Sequence, residues 1–139
     1  MLQNRIEGGQ SFIPTESHAV TALRDEISLC FDQIDQRPEL RQPVSSSLLT
    51  HTFPKIKQFK IQWAISEGLV SPIGDPRHNP KFDQTSIAML LYWNELRAAN
   101  PKVRKLARRL AQEEFAKREE QRKQRLVAGK VAFKPVPSY

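Results

Sequence analysis

Apolar residues recur along this chain at helical intervals, and the intervals break at proline and glycine. Val20, Leu23, Ile27, Cys30 and Ile34 are spaced three, four, three and four, with Phe31 beside them. The spacing predicts an amphipathic helix from about Glu16 to Ile34, with Thr15 as a candidate N-cap. Such a seam suits either a domain core or a short coiled coil. Gln36 to Pro43 reads as a charged linker with two prolines and as the best domain boundary. Ser45, Ser46 and Ser47 offer N-cap hydroxyls for a short helix through Leu48 and Leu49. Phe53-Pro54 interrupts the chain, and a second helix is expected from about Lys55 to Glu67. Its apolar face is read as Ile56, Phe59 and Trp63, with Ile65 on a flanking row. Gly68 is expected to end it in the left-handed conformation.

Pro72, Gly74, Pro76, Asn79 and Pro80 then mark a loop or hairpin of edge-strand character. Asp83 is placed to cap a helix from Gln84 to about Ala98 that buries Ile87, Leu90, Leu91, Trp93 and Leu96 in some combination. Asn100-Pro101 closes it and opens a last helix, about Lys102 to Leu126, with Gly129 as its end. Val103, Leu106, Ala107, Leu110, Ala111 and Phe115 give that helix one apolar stripe, and charged residues dominate beyond Phe115. Glu113–Lys117, Glu114–Arg118 and Glu119–Lys123 stand at i,i+4 with the acid first, which helps keep a solvated helix intact. Residues 1–14, with Gly8-Gly9 and Pro14, read as a flexible arm, and Lys130 to Tyr139 as a tail. The expected organisation is 1–44 arm and amphipathic helix, 45–110 central domain, and 111–139 charged extension.

Charge sharpens this picture. The chain of 139 residues carries a net +7, and Pro101 to Tyr139 holds twelve Lys/Arg against four Glu, a balance of +8. The first 100 residues hold ten Lys/Arg against eleven Asp/Glu, a balance of −1. A one-sided positive field favours polyanions, because cations on phosphates release condensed counterions, although a charged run also serves simply as a solvated helix face. No apolar run reaches membrane-spanning length, no signal peptide is read, and a cytoplasmic location is the expectation. The single cysteine leaves no internal disulfide or thiolate metal site, and Cys30 is assigned to packing.

Catalysis finds little support. His18, His51 and His78 stand apart from any Cys, Asp or Glu at ligand or triad spacing, and Gly8-Gly9 follows no strand. Asp75-Pro76-Arg77-His78-Asn79-Pro80 is accounted for by turn propensity. No enzyme, metal, cofactor or small-molecule substrate is therefore expected. A polyanion reader has more physical content. The polar side of Lys55 to Glu67 offers Lys55, Lys57, Gln58, Lys60 and Gln62. Gln58 and Gln62 lie one turn apart, and an amide both accepts from and donates to the edge of adenine. Arg77 and Lys81 flank the following loop, where a cation reaches the backbone or minor groove. Arg104, Lys105, Arg108 and Arg109 would add backbone contacts.

Residues from about Ser45 to Leu110 resemble the winged helix-turn-helix DNA-binding domain of MerR-type transcriptional regulators. Ile61-Gln62-Trp63-Ala64-Ile65-Ser66-Glu67-Gly68-Leu69-Val70 is similar to that family's second helix and its Gly-Leu-Leu exit. Lys81-Phe82 before Asp83-Gln84-Thr85-Ser86-Ile87 resembles the wing's aromatic and the capped third helix, and Asn100-Pro101-Lys102-Val103 sits where the fourth helix begins. The resemblance covers about half the chain. It departs from the family at Gln62, where an Arg is usual, and near Pro80, where a wing Arg would fall. About 44 residues precede the match, and no Cys-rich effector segment follows it. Small excisionases share the same winged domain.

The expected fold is therefore mainly α: a MerR-like winged helix-turn-helix with an N-terminal amphipathic helix and a long basic C-terminal helix. The expected function is sequence-specific binding of double-stranded DNA in transcription regulation, as a repressor rather than an activator, with a homodimer drawn from the 20-23-27-30-34 seam. The competing expectations are an excisionase-like or architectural DNA-binding factor, and an RNA-associated or scaffold protein using the basic C-terminal helix alone.

Overall fold

A computed structural model describes residues 18–75 and 77–133 as a mainly helical fold with one small two-stranded sheet. The expected arm, the Thr15 cap and the tail beyond Phe133 lie outside the described residues. Helix α1 spans His18–Asp35, a short 3-10 turn spans Pro38–Arg41, and strand β1 is Val44–Ser45. Helices α2, Ser46–Thr52, and α3, Gln58–Ser66, follow. Strand β2, Lys81–Phe82, leads into α4, Gln84–Leu91, then α5, Trp93–Ala98, and finally α6, Pro101–Phe133.

Capping chemistry sets most of these boundaries. The Ser45 hydroxyl accepts from the Leu48 amide at 3.2 Å, Asp83 from Ser86 at 2.9 Å, and Asn100 from Val103 at 3.0 Å. Pro101 opens α6 where its missing N–H costs nothing. Gly68 stands at φ +73°, its amide bonded to the Ile65 carbonyl and that of Leu69 to Ala64, which closes α3 in a Schellman motif.

One core runs from Leu23 to Ala111. Helix α1 packs on both α4 and α6, which also pack on each other. Leu23, Ile27, Cys30, Phe31 and Ile34 are all buried in that core, so most of the seam is used within the chain and gives no support to a dimer. The core also draws residues from both sides of the segment Gln36 to Pro43, from Ile34 and Leu40 to Val44 and Leu49. Leu40, in the segment read as a linker, is completely buried, and its carbonyl accepts from the buried Gln84 amide at 3.2 Å. Helix α4 is buried on nearly every side, as an all-round apolar helix must be. The single helix expected over 84–98 is two, with Tyr92 between them at ψ 18°. No Gly or Pro announces that break.

Helix α6 begins as expected, burying Ala107, Leu110 and Ala111, but it continues through Gly129 to Phe133. Beyond Phe115 it stays docked by polar contacts. Arg118 bonds to Ser28, Asp32 and Asp35 on α1 and to Glu114 on its own helix, and Arg122 reaches Asp35 on α1 and Glu119 on α6. Of the expected i,i+4 pairs Glu114–Arg118 forms, whereas Glu113 engages Arg24 and Arg109.

Burial pushes the Cys30 thiol up to about 11, with Lys55 opposing the shift and Glu26 and Glu95 adding to it. At pH 8 its thiolate fraction falls roughly 100-fold below that of an ordinary cysteine near 9, and the thiolate is the reactive form. Alkylation by iodoacetamide at pH 8 is therefore expected to be at least about 100-fold slower on the native chain than in denaturant. Equal rates would show that Cys30 is not enclosed as described.

Candidate nucleic-acid interface

Helix α3 buries Ile61 and Ala64. At 100° per residue the opposite side carries Phe59, Gln62 and Ser66, with Gln58 and Trp63 flanking. Gln58 and Gln62 are exposed, as are Lys55 and Lys57 in the turn that leads into the helix. The turn is anchored from beneath by Ile56, 1% exposed, whose amide bonds to the Phe53 carbonyl at 2.8 Å. The expected apolar face is thus rotated. Ile56 is inside, but Phe59 is 63% exposed and Trp63 only half-buried. The expected helix start at Lys55 also moves to Gln58.

Lys60 is not part of the outward set. Its ammonium donates to the Lys55 carbonyl at 3.1 Å and lies 4.9 Å from the centroid of the Trp93 ring. Arg97 covers the same ring at 5.5 Å. Phe59 and Trp63 both meet Trp93 edge-on, at 5.9 and 5.7 Å, so three aromatics tie α3 to α5.

After Gly68 the chain runs through Leu69 and Val70, both buried, into a loop closed by an antiparallel bridge. The Ile73 amide donates to the Lys81 carbonyl at 2.8 Å and the Lys81 amide to Ile73 at 3.1 Å. Lys81 also pairs with Ser45, and Phe82 with Val44, so β2 links the loop to the start of α2. Within the loop the Arg77 amide donates to the Asp75 carboxylate at 2.9 Å, an Asx turn, and Asn79 takes φ 51°, which asparagine tolerates well. The side chains of Arg77 and Lys81 are exposed.

The four cations expected on α6 divide. Arg104 donates to the carbonyls of Leu96 and Arg97 at 2.9 and 3.1 Å, capping the C-terminus of α5, and lies over Trp63 and beside Glu67. Arg108 donates to the Gly68 carbonyl at 3.2 Å and to the Ser71 hydroxyl at 2.7 Å. Both are structural clamps that hold the end of α3 and the root of the loop against α6. Lys105 is exposed beside them, lining a cleft with Glu67, Gly68 and Pro101. Arg109 is exposed and pairs loosely with Glu113 at 3.7 Å.

Of the expected contact residues, Lys55, Lys57, Gln58, Gln62, Arg77, Lys81, Lys105 and Arg109 lie on open surface, and Phe59 joins them unexpectedly. The signal for Phe59 was the Ile61–Ala64 pair, whose i,i+3 spacing competes with the larger aromatic stripe. Among the described residues no group of three or more His, Cys, Asp or Glu is arranged to hold a metal ion, and no helix is long and apolar enough to cross a membrane.

Compared with protein-family models, curated proteins and solved structures, the chain matches none of them. Its function rests on its own geometry.

Proposed function

We propose that this chain is a winged helix-turn-helix protein that binds double-stranded DNA sequence-specifically and regulates transcription, as a repressor rather than an activator. In this reading α2 and α3 are the helix pair, α3 enters the major groove, and the bridged loop 71–81 is the wing. The supporting observation is the outward side of α3. Two glutamines one turn apart stand exposed on a helix whose opposite side is bolted into the core, with Lys55 and Lys57 at its N-terminal end. A rigid helix with free amides suits readout of base edges, because each amide pairs bidentately with adenine N6 and N7. Arg77 and Lys81 then supply phosphate contacts from the wing, and Lys105 and Arg109 from α6.

Selection of bound duplexes from a random pool tests this at two salt concentrations. A defined sequence is expected to emerge at both. Gln58→Ala and Gln62→Ala should each weaken binding to it roughly 10- to 100-fold, the worth of a lost bidentate pair, while leaving random-sequence binding unchanged. Binding that is equally tight to every duplex, or indifferent to both glutamines, would remove the sequence-reading role from α3.

A further inference from the structure

We infer that Phe59 reads the 5-methyl group of a thymine, so that the duplex this chain selects contains at least one thymine whose methyl is required. The inference rests on the duplex-binding reading of α3.

Phe59 sits at the middle of the outward side of that helix, one turn before Gln62, with Gln58 farther round on the same side. The residue is 63% exposed. One edge abuts Trp93 at an interplanar angle of 90°, and Trp93, itself only 7% exposed, is fixed by Trp63 on one side and by Lys60 and Arg97 over its ring. The result is an aromatic that rests on a buried ring with most of its surface in water, which covering by an apolar group would relieve. In the major groove only thymine offers such a group, its C5-methyl, and an apolar side chain is a natural partner for it. The flanking amides suit the same base pair, because adenine, opposite thymine, presents the N6 and N7 edge that Gln58 or Gln62 would engage. Lys55 and Lys57 at the start of the helix supply positive charge beside this apolar spot, which favours a polyanion over a second protein surface.

Uracil substitution isolates the methyl group, since uracil keeps the pairing and the O4 acceptor of thymine. The duplex recovered from a random pool by the full chain is resynthesised with each thymine in turn replaced by uracil. At one position or more, binding is expected to weaken about four-fold, the worth of one buried methyl-sized group. Phe59→Ala should bind the thymine and uracil duplexes equally while keeping the native circular dichroism, and Phe59→Leu should restore the preference. If uracil is tolerated at every position while Gln62→Ala still alters the selected sequence, this inference is overturned and duplex reading by α3 stands. If no sequence is recovered at all, both fail together.

Discussion

Replacing Arg118 by alanine is expected to destabilise the fold by about 3 kcal/mol, the cost of breaking a buried ion pair by removing one partner. The side chain is 17% exposed and donates to Glu114 at 2.6 Å, Asp35 at 2.7 Å, Asp32 at 3.0 Å, and both the hydroxyl and carbonyl of Ser28. Its guanidinium also lies over the buried Phe31 ring. Burial opposes the charge, but the hydrogen bonds to Glu114, Asp35 and Asp32 outweigh it and hold the pKa above the ordinary arginine value. Glu114, only 10% exposed, is the reason the loss is large, since without Arg118 it becomes a buried carboxylate facing Asp35 with less to neutralise it. The half-exposed Asp32 adds little by comparison. Urea unfolding should show the midpoint falling by roughly 1–3 M at an unchanged slope. Arg118→Lys should recover less than half of this, because one ammonium cannot serve acceptors spread around a planar fork. Glu114→Gln added to Arg118→Ala should return part of the loss by removing the stranded charge. A loss below about 1 kcal/mol would mean that the apolar stripe alone docks α6 on α1.

That cluster also marks where the sequence stops being informative. Local rules act between residues a few positions apart, and they located the Ser45, Asp83, Asn100-Pro101 and Gly68 boundaries because each depends on its own hydrogen bonds. The buried stripe of α1 and the apolar start of α6 were legible for the same reason. Arg118 was visible only as half of an i,i+4 pair with Glu114. Its partners on α1 stand 83 to 90 positions away, and nothing in the local pattern joins them. The same blindness affected the candidate interface. Lysines and arginines on a helix all look available in sequence, yet Lys60, Arg104 and Arg108 turn back to carbonyls made accessible by neighbouring elements. Phe59 shows the converse. An aromatic near other aromatics is expected in the interior, but Trp93 takes the interior place and leaves Phe59 outside, packed against it at a right angle.

Changing Lys57, Arg77 and Lys81 together to glutamine is expected to lower affinity for any duplex by roughly 500-fold at 0.1 M salt. All three side chains are exposed, on the turn before α3, on the loop tip and on β2, so their removal leaves the core untouched. If each meets one phosphate, the slope of log affinity against log salt should fall by about 0.9 per residue, or about 2.7 for the three. Over the decade from 1 M, where counterion release is nearly exhausted, that slope gives the stated loss. The loss should be uniform across sequences, because phosphates carry no base identity. Arg108→Gln is the informative control. It removes one positive charge as well, but from a guanidinium already committed to Gly68 and Ser71, so it should lower thermal stability and leave the salt slope almost unchanged. A triple variant that kept the original slope would place the polyanion elsewhere, on the cations of α6 beyond Arg109, and would take the loop out of the interface.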